Sequence, residues 1–200
     1  MIDLKHSLGA KVVGNPCPVW LVATYDRDDK PNMINTGACG WANVKPPCVQ
    51  VSIRDIRYSH SAILERKAFT VNIPSEDQWR EADYAGIASG RNTDKFKDLG
   101  FTAVRSELVD APIIQECPVN FECRLRGKMD LDSNTLFIGE VLDVKMDESV
   151  LDGERGPDIK RVKPMVYWAK FGWKGEAYYS IGSELGLVYS QKNKPEKCVV

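Results

Sequence analysis

The sequence predicts a mainly β protein, an antiparallel β-barrel flanked by a few short helices. Three observations carry this. Runs of alternating apolar and polar residues recur along the chain, as strands with one buried face require. Helical patterning is confined to a few short stretches. Neither G-x-G-x-x-G nor G-x-x-x-x-G-K-[ST] occurs, which argues against a Rossmann or P-loop nucleotide domain.

Taken in order, VWLVAT (residues 19–24) is a continuous run of strand formers. The charged turn DRDDKPN follows, then a strand to Thr36, so the first pair is a hairpin. In residues 49–54, Val49, Val51 and Ile53 share one face, and Gln50, Ser52 and Arg54 the other. Ser59 or Ser61 is placed to cap a helix running to Lys67. Phe69, Val71 and Ile73 alternate with Thr70 and Asn72 as a further strand. Ser75 with Gln78 matches a capping box, opening a helix to about Ala88. Thr93 or Asp94 caps the short segment DKFKDLG, closed by Gly100. A strand from Phe121 to Met129 turns near Asp132, Ser133 and Asn134 into another long strand, residues 136–146. A short strand at 166–169 comes late, after a charged stretch (147–163) that reads as a surface loop or excursion.

Composition narrows the function. The 200 residues, with no repeat, low-complexity tract or linker, fit one domain spanning 1–200, with the 147–163 loop and the C-terminal tail as peripheral extensions. A formal net charge of −1 gives no reason to expect nucleic-acid binding. No apolar run reaches the roughly 20 residues of a membrane helix, and MIDLKHSLGAKVVG lacks the apolar core of a signal peptide. A cytoplasmic protein with reduced thiols is the expectation. Its six cysteines form no C-x-x-C pair and its histidines number two, which argues against a zinc or iron–sulfur site.

The most informative stretch is NMINTGACGWANVKPPCVQVSIRDIRYSHS, residues 32–61. Thr36, Gly37, Ala38 and Cys39 are small, so a ligand can approach the main chain closely. Trp41 offers a flat apolar face, Arg54 and Arg57 fixed positive charge, and Ser59 and Ser61 hydroxyls near a helix start, where free amides attract anions. An apolar ring with a phosphate tail needs that combination, and flavin mononucleotide (FMN) meets it. Each part also has a plainer reading: Ser52 and Arg54 as a solvated outer face, Trp41 as a core or interface residue, Cys39 as a small residue rather than a nucleophile. Ser89-Gly90-Arg91 and Asp94-Lys95-Phe96 read locally as a helix stop and a solvated turn, and bear on binding only if they fold against the first cluster. Tyr167, Trp168, Phe171 and Trp173 read as core packing or, alternatively, a contact to the ring's edge.

Six segments together resemble the flavin reductase-like, FMN-binding split-barrel proteins, and among them the flavoredoxins. They are PCPVWLVATYDRDDKPNMINTGACGW, PPCVQVSIRDIRYSHSAI, FTVNIPS, ADYAGIASGRNTDKF, DAPIIQECPVNFEC and LDSNTLFIGEV, from about Pro16 to Val144. The resemblance implies a six-stranded Greek-key split barrel, a homodimer, and non-covalent FMN at the dimer interface. It implies that Asn35, Thr36, Gly37, Ala38 and Cys39 meet the isoalloxazine ring, with Trp41 close by. Ser52, Ile53, Arg54, Arg57 and Ser59 would surround the ribityl chain and phosphate, with Ser89, Gly90, Arg91 and Lys95 adding polar and cationic contacts. Asn134 stands where relatives often carry histidine, and Tyr167 at a late aromatic contact position. The activity implied is that of a flavin electron carrier served by other redox proteins, with an NAD(P)H-dependent flavin reductase as the alternative. A non-catalytic flavin-binding dimer, from a different functional class, has less use for Ser52, Arg54, Arg57 and Lys95 together.

Overall fold

A computed structural model describes residues 5–13, 15–153, 156–169 and 176–186. Phe171, Trp173 and Cys198 lie outside them, as does the tail from 187. The elements begin with β1 (Pro16–Pro18), β2 (Trp20–Tyr25), β3 (Pro31–Thr36), β4 (Cys39–Asn43) and β5 (Cys48–Arg54). Helix α1 (Tyr58–Arg66) leads to β6 (Ala68–Ile73), a 3-10 turn (Glu76–Gln78), α2 (Trp79–Ile87) and α3 (Lys95–Leu99). Short β7 (Ala103–Arg105) and β8 (Pro112–Ile114) precede the long pair β9 (Val119–Leu131) and β10 (Asn134–Met146). A second 3-10 turn (Glu148–Val150), α4 (Ile159–Val162), β11 (Met165–Trp168) and β12 (Ala177–Ser180) follow.

One antiparallel sheet runs β3-β2-β6-β9-β10-β5-β4. Its two edge strands, β3 and β4, are separated in sequence only by Gly37 and Ala38. Two residues span far less than a seven-strand sheet is wide, so the sheet must curl until its edges meet. The Ser52 amide donates to the Ala38 carbonyl at 2.8 Å, and the Thr36 hydroxyl to the Ser52 carbonyl at 3.4 Å. Counting the bent β3–β4 segment as one strand gives a six-stranded barrel. Because β5 leads through α1 to β6, which pairs with β2 and β9, the connection is a Greek key.

Local chemistry explains the turns. Asp26 Oδ1 accepts from the amides of Asp28 and Lys30, and Asp29 takes a left-handed φ of 60°, which tightens the β2–β3 hairpin. Asp132 (φ 52°) and Ser133 form the two-residue β9–β10 turn. Arg66 on α1 clasps this framework through Asp29 at 2.8 Å and Asp110 at 2.9 Å.

The barrel interior holds Val22, Val49, Val51, Phe69, Val71 and Phe137, each wholly buried. Each contributes about 1.5–3 kcal/mol by leaving water. A second cluster, with Leu21, Met33, Ala82, Ala85 and Phe96, fills the space between the outer face of β2–β3 and helices α2 and α3. The stretch 147–163 departs from a surface loop: its short helical turns send Val150 and Val162 into the barrel core.

At Gly139, where the β9–β10 register shifts, an ideal Cβ would lie 2.4 Å from Phe69 Cζ and 3.0 Å from Cys123 Cβ. Phe69 is fully buried and cannot swing away. Gly139→Ala is therefore expected to destabilise the fold by about 1–3 kcal/mol through overpacking. Urea unfolding checks this, and an unchanged midpoint would show that the core has slack.

Candidate functional site

The closure seam positions the site. Gly37 and Ala38 belong to neither strand, so their amides lie outside both ladders. A Cβ on Gly37 would press on Cys17 Cβ at 3.2 Å and Tyr167 at 3.5 Å, so the bend closes most easily around glycine. Across the seam, Val51 and Ile53 point into the barrel, which turns Ser52 and Arg54 outward. Register places Asn134 opposite Arg54, and Asn134 Nδ2 donates to Ser52 Oγ at 3.0 Å. Ile34, Asn35, Thr36, Gly37, Ala38, Ser52, Ile53, Arg54, Arg57 and Asn134 line one hollow of about 190 Å³.

A second hollow of about 100 Å³ adjoins it, sharing Ile34 and Arg57. Its walls are the start of α1 (Arg57, Tyr58, Ser59) and the loop Ser89-Gly90-Arg91 with Lys95. The two clusters read separately in the sequence therefore meet. Their docking requires Gly90, where a Cβ would lie 2.3 Å from Asn32 Oδ1 and 2.6 Å from the Tyr58 ring. Helix α1 opens with Arg57 in extended conformation, without a side-chain cap and without an acid in its first turn. The His60 amide is taken by the Arg57 carbonyl at 3.0 Å, and the positive end of the helix dipole lies beside the hollow without a side-chain cap.

The electrostatics are one-sided. Lys95 is 4% exposed, and its ammonium donates to the carbonyls of Met33 and Ala85, both at 2.7 Å. Burial, reinforced by the nearby Arg57 charge, lowers its pKa to about 8. Arg57 donates to the Gly86 carbonyl at 3.3 Å. Arg91 donates to the Ile56 carbonyl at 2.9 Å and lies 5.7 Å over the Tyr58 ring. Among the described residues, none of Arg54, Arg57, Arg91 and Lys95 has a carboxylate within ion-pair distance, whereas Arg66, Arg105, Arg124, Arg126 and Lys145 all do. A cleft walled by cations without counter-ions is built for an anion.

Some predicted residues stand away from the hollows or are spent on other contacts. Ser59 is not the helix cap: it is 1% exposed and accepts from Asn32 Nδ2 at 2.8 Å, spent on fastening β3 to α1. Ser61 lies on the exposed side of the helix and donates to the Tyr58 carbonyl at 3.4 Å. Trp41 lines neither hollow; it is 58% exposed and its ring packs 5.5 Å from Phe121. Cys39 lies behind the seam, where Sγ donates to the Thr36 carbonyl at 3.3 Å and burial pushes its thiol pKa up, against a nucleophilic role. Tyr167 backs Gly37 from the β11 side rather than lining the hollow.

Sequence reasoning passed over Asn32, Asp83 and Tyr178. Tyr178, in the late strand β12, accepts from Asn35 Nδ2 at 3.1 Å and donates to Asp83 Oδ1 at 3.1 Å. Asn32 carries the one usable signal, a polar residue within an otherwise buried strand run.

The flavin reductase-like domain family matches residues 13–171. A flavoredoxin of Desulfovibrio vulgaris (Miyazaki F) is 42% identical, with a TM-score of 0.88 over 95% of this chain and 100% of that one. A flavoredoxin from Methanosarcina acetivorans is 27% identical, with a TM-score of 0.84 over 96% and 97% of the two chains. A Shewanella frigidimarina structure described as having a split barrel domain, 18% identical with a TM-score of 0.77 over 88% and 87%, shares the fold. On its sequence match and its split-barrel architecture alike, the chain belongs to the flavin reductase-like domain family.

Proposed function

We propose that this chain is a flavin-binding redox protein whose cofactor is non-covalent FMN, working as a flavoredoxin-type electron carrier. The observation that carries the reading is the set of four cations without carboxylate partners among the described residues, round two joined hollows, next to the open backbone of Gly37 and Ala38. FMN has the matching polarity, with an apolar ring at one end and a nearly dianionic phosphate at the other.

FMN, when bound, supplies reversible electron transfer in one- or two-electron steps. This chain's residues supply binding and electrostatics. Arg57, Arg91, Lys95 and the first amides of α1 would hold the phosphate, with Arg54 beside the ribityl chain next to it. The amides of Gly37 and Ala38 would donate to the ring's carbonyl edge, where charge gathers on reduction. Ile34 and the backbone of Gly37 and Ala38 line the hollow beside the polar groups. No nucleophile or general base is required of the protein.

Beside the hollows β4 exposes Trp41, and Val44 in the turn that follows it is 87% exposed. A second copy of the chain covering this surface would complete the site, which is the homodimer reading. Among the described residues no helix is long and apolar enough to cross a membrane.

The test is an absorbance spectrum of the purified protein, then anaerobic addition of NADH and of NADPH. Flavin bands that bleach with dithionite but not with either nucleotide support the carrier. Rapid bleaching by a nucleotide moves the assignment to a flavin reductase, and no bands after FMN addition refutes both.

Two further outcomes are expected. Arg54→Ala combined with Lys95→Met should weaken FMN binding about 100-fold, roughly 3 kcal/mol, through lost charge-assisted contacts. Fluorescence titration reads this, with a melting curve to confirm folding. The second concerns pH. The Lys95 ammonium is charged below about pH 8 in the ligand-free chain, and an anion beside it favours the charged form. FMN affinity should therefore be full below pH 8 and fall as pH rises above it. Lys95→Met should flatten that arm of the profile; an unaltered profile would remove Lys95 from the anion site.

A further inference from the structure

The amide of Asn35 has its orientation set by two residues outside the hollow. Asp83 is a carboxylate and only accepts, so the single Tyr178 hydroxyl proton goes to Asp83 Oδ1, at 3.1 Å. The Tyr178 oxygen then has lone pairs and no proton to offer. Asn35 must meet it with its NH2 group, and Nδ2 does so at 3.1 Å. Reversing the amide would set two acceptors against each other. The order Asp83–Tyr178–Asn35 therefore leaves Oδ1 as the free end of an amide that lines the hollow. Among the described residues no hydrogen bond reaches Asn35 Oδ1, and it is not one of the fully buried atoms without a partner, so it keeps some exposure. The chain is also mechanically backed: Asp83 lies on α2, Tyr178 on β12, and Gly86 of α2 lies against Asn35, where a Cβ would approach Asn35 Cβ to 3.4 Å.

We infer that Asp83 and Tyr178 are positioning residues that hold Asn35 Oδ1 as a hydrogen-bond acceptor for a ring N–H of the bound ligand. This rests on the FMN reading and sharpens it. Asn35 lines the hollow that holds Gly37 and Ala38 and is absent from the walls of the one lined by Arg91 and Lys95. It therefore faces the ring rather than the phosphate. The oxidised isoalloxazine carries a single ring N–H, the imide at N3, and that is the donor a fixed acceptor there selects. A freely rotating asparagine could offer either end. This one is committed to accepting, so the hollow discriminates against rings that lack the imide proton.

The experiment titrates the ligand-free chain with FMN and with N3-methyl-FMN, in the native protein, Tyr178→Phe and Asn35→Ala, each checked by thermal melting. The native chain is expected to prefer FMN by about tenfold or more, as for a lost hydrogen bond in a site built to make it. Tyr178→Phe removes the acceptor that pins the amide, so it should lower the preference several-fold, chiefly by weakening FMN. Asn35→Ala should bring the two ligands close to parity. A purely structural role for Tyr178 would weaken both flavins alike and keep their ratio, which overturns the inference. Equal binding of the two flavins by the native chain overturns it as well, while leaving the FMN reading in place. A chain that takes up neither flavin overturns both.

Discussion

Strands β3 and β4 form opposite edges of one sheet, and two residues join them. That covalent constraint decides the rest of the architecture. The sheet has to close into a barrel, and it has to close at Gly37–Ala38, where both neighbouring ladders stop. Closure turns Val51 and Ile53 inward and therefore Ser52 and Arg54 outward beside the seam. The β10–β5 register adds Asn134, more than eighty residues away in sequence, within 3.0 Å of Ser52. The binding cleft is a consequence of how the barrel shuts.

The same closure accounts for the electrostatic asymmetry. A framework selected for stability alone would give its buried lysine a carboxylate. Lys95 instead makes two carbonyl contacts, and its pKa falls to about 8 because burial disfavours the charge. Helix α1 likewise forgoes a side-chain cap and a first-turn acid, devices that commonly add about 1 kcal/mol. Stability is supplied elsewhere: by the doubly clasped Arg66, by the Asn72 side chain bonded to Leu21, Thr70, Ile114 and Asn120, and by the two apolar clusters. Local rules are broken around the hollows and obeyed away from them, the pattern expected where ligand binding has shaped a sequence.

Much of this was legible in the residues. The alternation of Val49, Val51 and Ile53, the β2–β3 hairpin, the Asp94 cap and the Gly100 stop all express short-range chemistry, and the structure follows them. The cationic site was legible as two halves, since Arg54–Arg57 and Arg91–Lys95 each carry charge; only the Greek-key path, a long-range property, joins them. The failures share that origin. Ser59 has the right chemistry for a cap, but Asn32 on a neighbouring strand claims it. Pro16–Pro18 and Cys39–Asn43 have poor strand composition and become strands because partners lie alongside. The 147–163 segment reads as solvated because its charges outnumber its anchors, yet Val150 and Val162 are what fix it to the core. Tyr178 offered no local signal, because its role depends on Asn35, 143 residues away.

The central claim is that the hollows recognise an apolar ring through the seam and a phosphate through the cations that have no carboxylate partner among the described residues. Riboflavin and FMN share the ring and differ by that phosphate. Titrating the ligand-free chain with each, at low and at high salt, tests the claim most directly. FMN should bind at least about 100-fold more tightly than riboflavin, with a preference that shrinks as salt screens the cations. Equal affinity for the two, unmoved by salt, would contradict the account.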